Sequence, residues 1–263
     1  MGTKHFVTMA IVALIIAGGI IITLCGDTTA DQVKRYMVRV IRTLPHNTRS
    51  FTQGLLYYQG MLYESTGLYG HSSLQQIDAR TGTVRKMLPI PEVFAEGLVR
   101  WENRLIQLTW QQKTAFIYTL SDFSQIGTFH YETEGWGLTA DNRSLIMSDG
   151  TDSLYFRDPI SFETVRTVNV TLRGKPLSRL NELEYIDGFI YANVWYEDYI
   201  VKIDPNNGTV IGYIDATPLF HAQPTLSKDN VLNGIAYNEE TGTVFLTGKN
   251  WPTIFEVTLI QGF

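Results

Sequence analysis

A single cysteine, Cys25, stands in 263 residues, so no disulfide can form within the chain and stability has to come from packing and strand pairing. Histidine is nearly as scarce. The five, at 5, 46, 71, 130 and 221, show no zinc-ligand spacing, and without cysteine partners a bound zinc has little support. Charged residues make up 18%, with 21 Lys and Arg against 26 Asp and Glu and a pI near 5.5. That balance leaves no basic footprint for a phosphate backbone and excludes nucleic acid as a partner. Only one long apolar run occurs, Phe6 to Leu24, and no segment beyond it carries a convincing helical period.

What the chain has in quantity is hydrophobic residues, 44%, and aromatics, 12%, enough to bury a large core. It also has an internal repeat. A polar or aromatic residue, a small one and an aliphatic one recur as Gln53-Gly54-Leu55, Glu96-Gly97-Leu98, Trp136-Gly137-Leu138, Asn181-Glu182-Leu183 and Asn233-Gly234-Ile235. Their first residues lie 43, 40, 45 and 52 positions apart, the period of propeller blades or solenoid units.

Within a unit the pattern predicts four short strands. In the first they are Leu55 to Tyr58, Met61 to Ser65, Leu74 to Asp78 and Thr83 to Leu88; in the fourth, Leu183 to Ile186, Phe189 to Val194, Ile200 to Asp204 and Thr209 to Ile214. Arg173 to Leu180 and Thr217 to Asn230 read as longer connections. The last unit ends one strand short after Ile254 to Leu259, and a lone stretch, Tyr36 to Leu44, precedes the first. Donating that stretch to the last unit leaves no open sheet edge between first and last. The expectation is an all-β, five-bladed β-propeller over residues 36–263, a monomeric catalytic domain.

Residues 1–30 are read as a targeting segment. Phe6 to Leu24 is uncharged and approaches the ~20 residues that cross a bilayer. Its length favours an uncleaved signal anchor over a signal peptide cleaved near Ala30, and bulky Leu24 before Cys25 disfavours lipidation. The domain is therefore expected outside the cytoplasm, tied to a membrane by its N-terminal segment or released if the segment is cleaved.

In a propeller the innermost strand of each blade lines the axis. Gln53, Glu96, Trp136, Asn181 and Asn233 then form one ring around a mouth. Gly67, Trp110, Asp149, Trp195 and, slightly later, Lys249 form a second. Phe51 and Phe94, two residues before Gln53 and Glu96, share their strand face. Tryptophans are more often plain core, but three at equivalent positions facing one axis point to a site. Glu96 beside Phe94 is a carboxylate indoors, costly without a partner, and Lys249 is the candidate partner.

Phe51-Thr52-Gln53-Gly54-Leu55, Phe94-Ala95-Glu96-Gly97-Leu98, Leu108-Thr109-Trp110, Glu134-Gly135-Trp136-Gly137-Leu138, Leu180-Asn181-Glu182-Leu183-Glu184, Asn193-Val194-Trp195 and Leu232-Asn233-Gly234-Ile235-Ala236 resemble, in order, the motifs of the plant and bacterial type of glutaminyl-peptide cyclotransferase. The resemblance spans Val38 to Leu259. It implies a five-bladed propeller that acts on peptides or proteins with N-terminal glutamine, turning it into pyroglutamate with loss of ammonia and needing no metal or organic cofactor. It implies a site of Phe51, Gln53, Phe94, Glu96, Trp110, Trp136, Asn181, Trp195 and Lys249. In this reading Glu96 shuttles the proton, and Asn181, Gln53 and Lys249 hold the carboxamide and its developing negative charge. Two alternatives stay open: a calcium-dependent propeller lactonase using Glu96, Asn181, Asn233 and Asp149 as oxygen ligands, and a non-catalytic peptide-binding propeller.

Overall fold

The repeat predicts strands, and strands dominate. The computed structural model describes residues 33–223 and 227–262. After β1 (Lys34–Pro45) the chain forms a first antiparallel meander of β2 (Thr52–Tyr58), β3 (Met61–Thr66), β4 (Ser73–Asp78) and β5 (Val84–Pro89), and a second of β6 (Ala95–Trp101), β7 (Arg104–Thr109), β8 (Thr114–Thr119) and β9 (Gln125–His130). A third comprises β10 (Leu138–Ala140), β11 (Leu145–Ser148), β12 (Ser153–Arg157) and β13 (Thr164–Asn169). The predicted connection after it carries a small hairpin, β14 (Thr171–Leu172) with β15 (Lys175–Pro176).

The remaining strands share one eight-stranded sheet. One half is the meander β16 (Leu180–Ile186), β17 (Phe189–Val194), β18 (Tyr199–Ile203) and β19 (Val210–Asp215); the other is β20 (Leu232–Asn238), β21 (Thr243–Gly248) and β22 (Thr253–Gln261) with β1 as its outer strand. β1 runs antiparallel to β22 from Tyr36 opposite Gln261 to Pro45 opposite Thr253, as the missing strand of the last unit required. Its first residues also pair in parallel with β19, Lys34 to Met37 against Gly212 to Asp215, a junction the repeat did not announce.

The segment read as a bare connection from Thr217 to Asn230 contains a one-turn helix, α1 (Thr217–His221), with a proline in its first turn, where the missing N–H costs nothing. Among the described residues no helix is long and apolar enough to cross a membrane; the Phe6 to Leu24 segment lies outside the described residues.

The core sits between sheets in cyclic order, a propeller-like arrangement. Leu56, Leu74, Leu98 and Leu105 pack the first meander on the second. Val99, Ile106, Leu138 and Met147 join the second to the third, and Phe156, Val168, Leu183 and Ile190 the third to the fourth. Ile200, Ile214, Ile235 and Leu246 continue the ring to the last group. Leu55 and Leu62 then meet Phe245 and Ile254, so last returns to first.

The repeated phrase has a steric cause. A Cβ on Gly54 would lie 2.5 Å from the Leu98 nitrogen, and one on Gly137 would lie 2.0 Å from the Asn181 oxygen. The small residue of the first three phrases thus touches the backbone of the next, where inner strands converge. In four of the groups the phrase also spans a register shift, between Thr52 and Gly54, Ala95 and Leu98, Leu180 and Leu183, and Leu232 and Ile235. Such bulges re-aim a side chain out of the ladder, which turns Gln53, Glu96 and Asn181 toward the mouth. The inner strands accordingly begin about three residues earlier than alternation alone suggests.

Candidate active site

All nine residues expected in the site line one cavity of about 370 Å³: Phe51, Gln53, Phe94, Glu96, Trp110, Trp136, Asn181, Trp195 and Lys249. Tyr196 and Asp229 complete its wall. Sequence reasoning missed both. Tyr196 follows Trp195 with φ +67 and donates its hydroxyl to Asp229 Oδ1 at 3.0 Å; Asp229 lies in the longest connection, where no repeat position marks it.

The aromatic lining forms two banks. In one, Phe94 meets Phe51 edge-on at 6.1 Å between centroids and Trp110 at 5.5 Å. In the other, Trp136 stands edge-on to Trp195 at 5.4 Å. Glycines make room for them. A Cβ on Gly67 would come within 2.4 Å of Phe94, and one on Gly150, which also holds φ +83, within 2.7 Å of Trp136. Gly67, expected in the second ring, therefore contributes space rather than a side chain.

Glu96 is buried among these rings. Gln53 Nε2 donates to its Oε1 at 2.9 Å, and the Gln53 amide is itself oriented by Asn233, whose Nδ2 donates to Gln53 Oε1 at 3.2 Å and to the Thr52 carbonyl at 2.9 Å. Burial drives the Glu96 carboxyl well above the ordinary carboxylate range; the charge of Lys249 and the Gln53 bond oppose this, and the Glu134 charge adds to it. Lys249 is buried too, and burial lowers its ammonium to about 8 against the pull of Glu96. Its Nζ lies 4.7 Å from the centroid of Phe51 and 6.0 Å from that of Trp195, within cation–π range.

Three expectations need correction. The ion pairs among the described residues do not include Glu96 with Lys249; the direct partner of Glu96 is Gln53, and Lys249 acts through space. Asn233, placed in the first ring, stands behind Gln53 because its Nδ2 is drawn to backbone at Thr52. Asp149, placed in the second, turns to Thr151 and to the Tyr155 hydroxyl at 3.0 Å. Of the four oxygen donors a calcium site would draw on, only Glu96 and Asn181 line the cavity. Asn181 is buried, and its Oδ1 has no hydrogen-bond partner among the described residues.

Sequence reasoning does not single out Glu182, because the phrase is defined by a small residue at that place. It is the one unit where glycine gives way to a carboxylate. Its Oε1 accepts the Leu55 N–H at 3.2 Å and its Oε2 the Ile235 N–H at 2.9 Å, so one buried side chain ties the inner strands of the first and last groups to the fourth.

Comparison with known proteins agrees with this geometry. The family model described as glutamine cyclotransferase matches residues 12–259. A glutaminyl-peptide cyclotransferase of Arabidopsis thaliana is 39% identical over 232 residues, 85% of this chain and 72% of that protein. The crystal structure of Myxococcus xanthus glutaminyl cyclase is similar with a TM-score of 0.84 and 40% identity, covering 88% of this chain and all of the other. With the repeat, the ring of sheets and the aromatic well in agreement, the chain belongs to the glutamine cyclotransferase family.

Proposed function

We propose that the protein is a glutaminyl-peptide cyclotransferase that closes the N-terminal glutamine of peptides or proteins into pyroglutamate. The α-amine nitrogen bonds to the side-chain carboxamide carbon, the lactam forms, and the former amide nitrogen leaves as ammonia with the proton the amine gave up. Both reactants belong to one residue, so the site has to fold that residue back on itself and exclude water. The observation that carries this reading is Glu96, buried at the floor of an aromatic well with the Gln53 amide on its carboxyl. The α-amine has an ordinary pKa of about 7.7 to 8.0 and must be deprotonated to attack, while the leaving nitrogen must be protonated. A carboxyl raised by burial matches both transfers better than an exposed one.

Glu96 is assigned as the proton shuttle. Lys249 and Asn181 stabilise the oxyanion of the tetrahedral intermediate, and Gln53 orients Glu96. Phe51, Phe94, Trp110, Trp136 and Trp195 bind the methylene chain and the amine. Mass spectrometry of a peptide beginning with glutamine tests this: the free peptide should lose one ammonia, and its N-acetylated form should not change. An unchanged free peptide would overturn the activity.

The core clusters in cyclic order support a count of five blades, closed by β1. We also propose a monomeric domain held outside the cytoplasm by the Phe6 to Leu24 run as a signal anchor. Fractionation of the full chain against a chain starting after Ala30 tests the anchor: both appearing in the soluble fraction would refute it.

A further inference from the structure

Glu134 lies just outside the cavity, and a single one of its oxygens serves both aromatic banks. Its Oε2 accepts the indole N–H of Trp110 at 2.7 Å and that of Trp136 at 3.1 Å, while Oε1 takes a long bond of 3.4 Å from Gln111. The two tryptophans come from different meanders, Trp110 just after β7 and Trp136 just before β10. The Trp110 carbonyl accepts the Gly135 N–H at 3.1 Å, so backbone and side chain of this segment strap the same two sheets together. Gly135 has no room for a side chain, since a Cβ there would lie 2.4 Å from the Tyr131 hydroxyl.

We propose that Glu134 is a positioning residue for substrate amine binding: its carboxylate clamps the Trp110 and Trp136 indoles by their N–H edges and makes their faces a stronger seat for a cationic N-terminus. The inference rests on the function proposed above and extends it to how the amine is held. A charged acceptor shortens and strengthens the N–H bonds, and hydrogen bonds in series polarise one another. Electron density pushed into an indole from its N–H edge deepens the negative potential over its face, and that potential is what attracts an ammonium. The carboxylate is suited to stay ionised: burial alone would raise it, but the bonds from Trp136, Trp110 and Gln111 and the charge of Lys113 hold it below the ordinary glutamate range.

The test titrates the indole fluorescence of the folded protein with choline and with its uncharged isostere 3,3-dimethylbutan-1-ol. This readout is independent of turnover, so its failure is distinct from a failure to cyclise glutamine. Wild type should bind choline more tightly than the alcohol. Glu134→Gln keeps an acceptor for both indoles and removes the charge, so the preference should shrink by about five- to tenfold while alcohol binding stays within about twofold. Trp110→Phe keeps a ring but has no N–H, and its effect on choline should be non-additive with that of Glu134→Gln. Glu134→Asp should restore part of the preference. An unchanged preference in Glu134→Gln, additive effects with Trp110→Phe, or no choline preference in wild type would each overturn the proposal.

Discussion

Gln53 and Glu96 are the first residues of the phrases of two successive units, and their side chains meet as amide donor and carboxyl acceptor at 2.9 Å with Asn233 fixing the amide from behind. The repeat thus does more than build a ring: the register shifts in the inner strands of the first, second and fourth groups deliver Gln53, Glu96 and Asn181 to one cavity. Replacing Gln53 with Ala removes the bond that favours ionised Glu96, so the Glu96 carboxyl should rise further. The acidic limb of the pH profile for kcat/KM should move to higher pH, with kcat down about tenfold as expected for a charge-assisted hydrogen bond. A profile that keeps its limb would show that Gln53 does not act on Glu96.

Lys249 should give the alkaline side of the same profile. Its folded value of about 8 lies below the ordinary 10.5, so between those values the unfolded chain binds more protons than the folded one. Wild-type stability should therefore rise with pH across that window, and Lys249→Met should lose the rise. If the ammonium stabilises the oxyanion, activity falls above about pH 8 in wild type, and the variant shows a lower, flatter limb. Paired urea titrations and initial rates across that range check both.

Glu182→Ala strands the Leu55 and Ile235 N–H groups in the core, at about 1 to 3 kcal/mol for each unsatisfied donor. Glu182→Gln, with one oxygen left to accept, should cost less than Ala. Equal midpoints in denaturant for the two variants would mean that this side chain does not tie the ring.

His46 offers the opposite sign of pH dependence. Its Nδ1 donates to the Trp251 carbonyl at 2.7 Å and its Nε2 faces Glu64 Oε1 at 3.0 Å, between the first and last groups. Burial would lower its pKa, but the Glu64 charge and both bonds leave it raised above 6.5. The contribution is then fully present below pH 6.5 and lost as pH rises through the folded value. His46→Leu removes the contacts to Glu64 and Trp251, so its cost should be largest below about pH 6.5 and shrink toward alkaline pH. A cost independent of pH would contradict a charged His46.

Much of this was legible in the chain because the phrase recurs for a steric reason. Gly54, Gly97 and Gly137 are small where each abuts the next inner strand, and whatever precedes them faces the mouth. Hence Gln53, Glu96 and Trp136 could be placed by counting, and Asn181 by its equivalent place in the fourth phrase. Counting failed where a side chain turned to a local partner, as Asp149 does toward Tyr155 and Asn233 toward Thr52. It was silent on Asp229 and Tyr196, which reach the cavity from outside the ladder. Glu134 stood in view beside Trp136, but nothing in one dimension says that its carboxylate also reaches Trp110. Glu182 was visible as the one phrase without glycine, and its meaning needed the two N–H groups it satisfies.

The most direct measurement is single-turnover cyclisation of an N-terminal glutamine peptide by Glu96→Gln. The variant keeps the shape of the buried group and cannot move a proton. With its circular dichroism and denaturation midpoint like those of wild type, it should release ammonia about 100- to 10,000-fold more slowly, the range for losing general acid–base catalysis. A folded Glu96→Gln protein that cyclises at the wild-type rate would contradict the account.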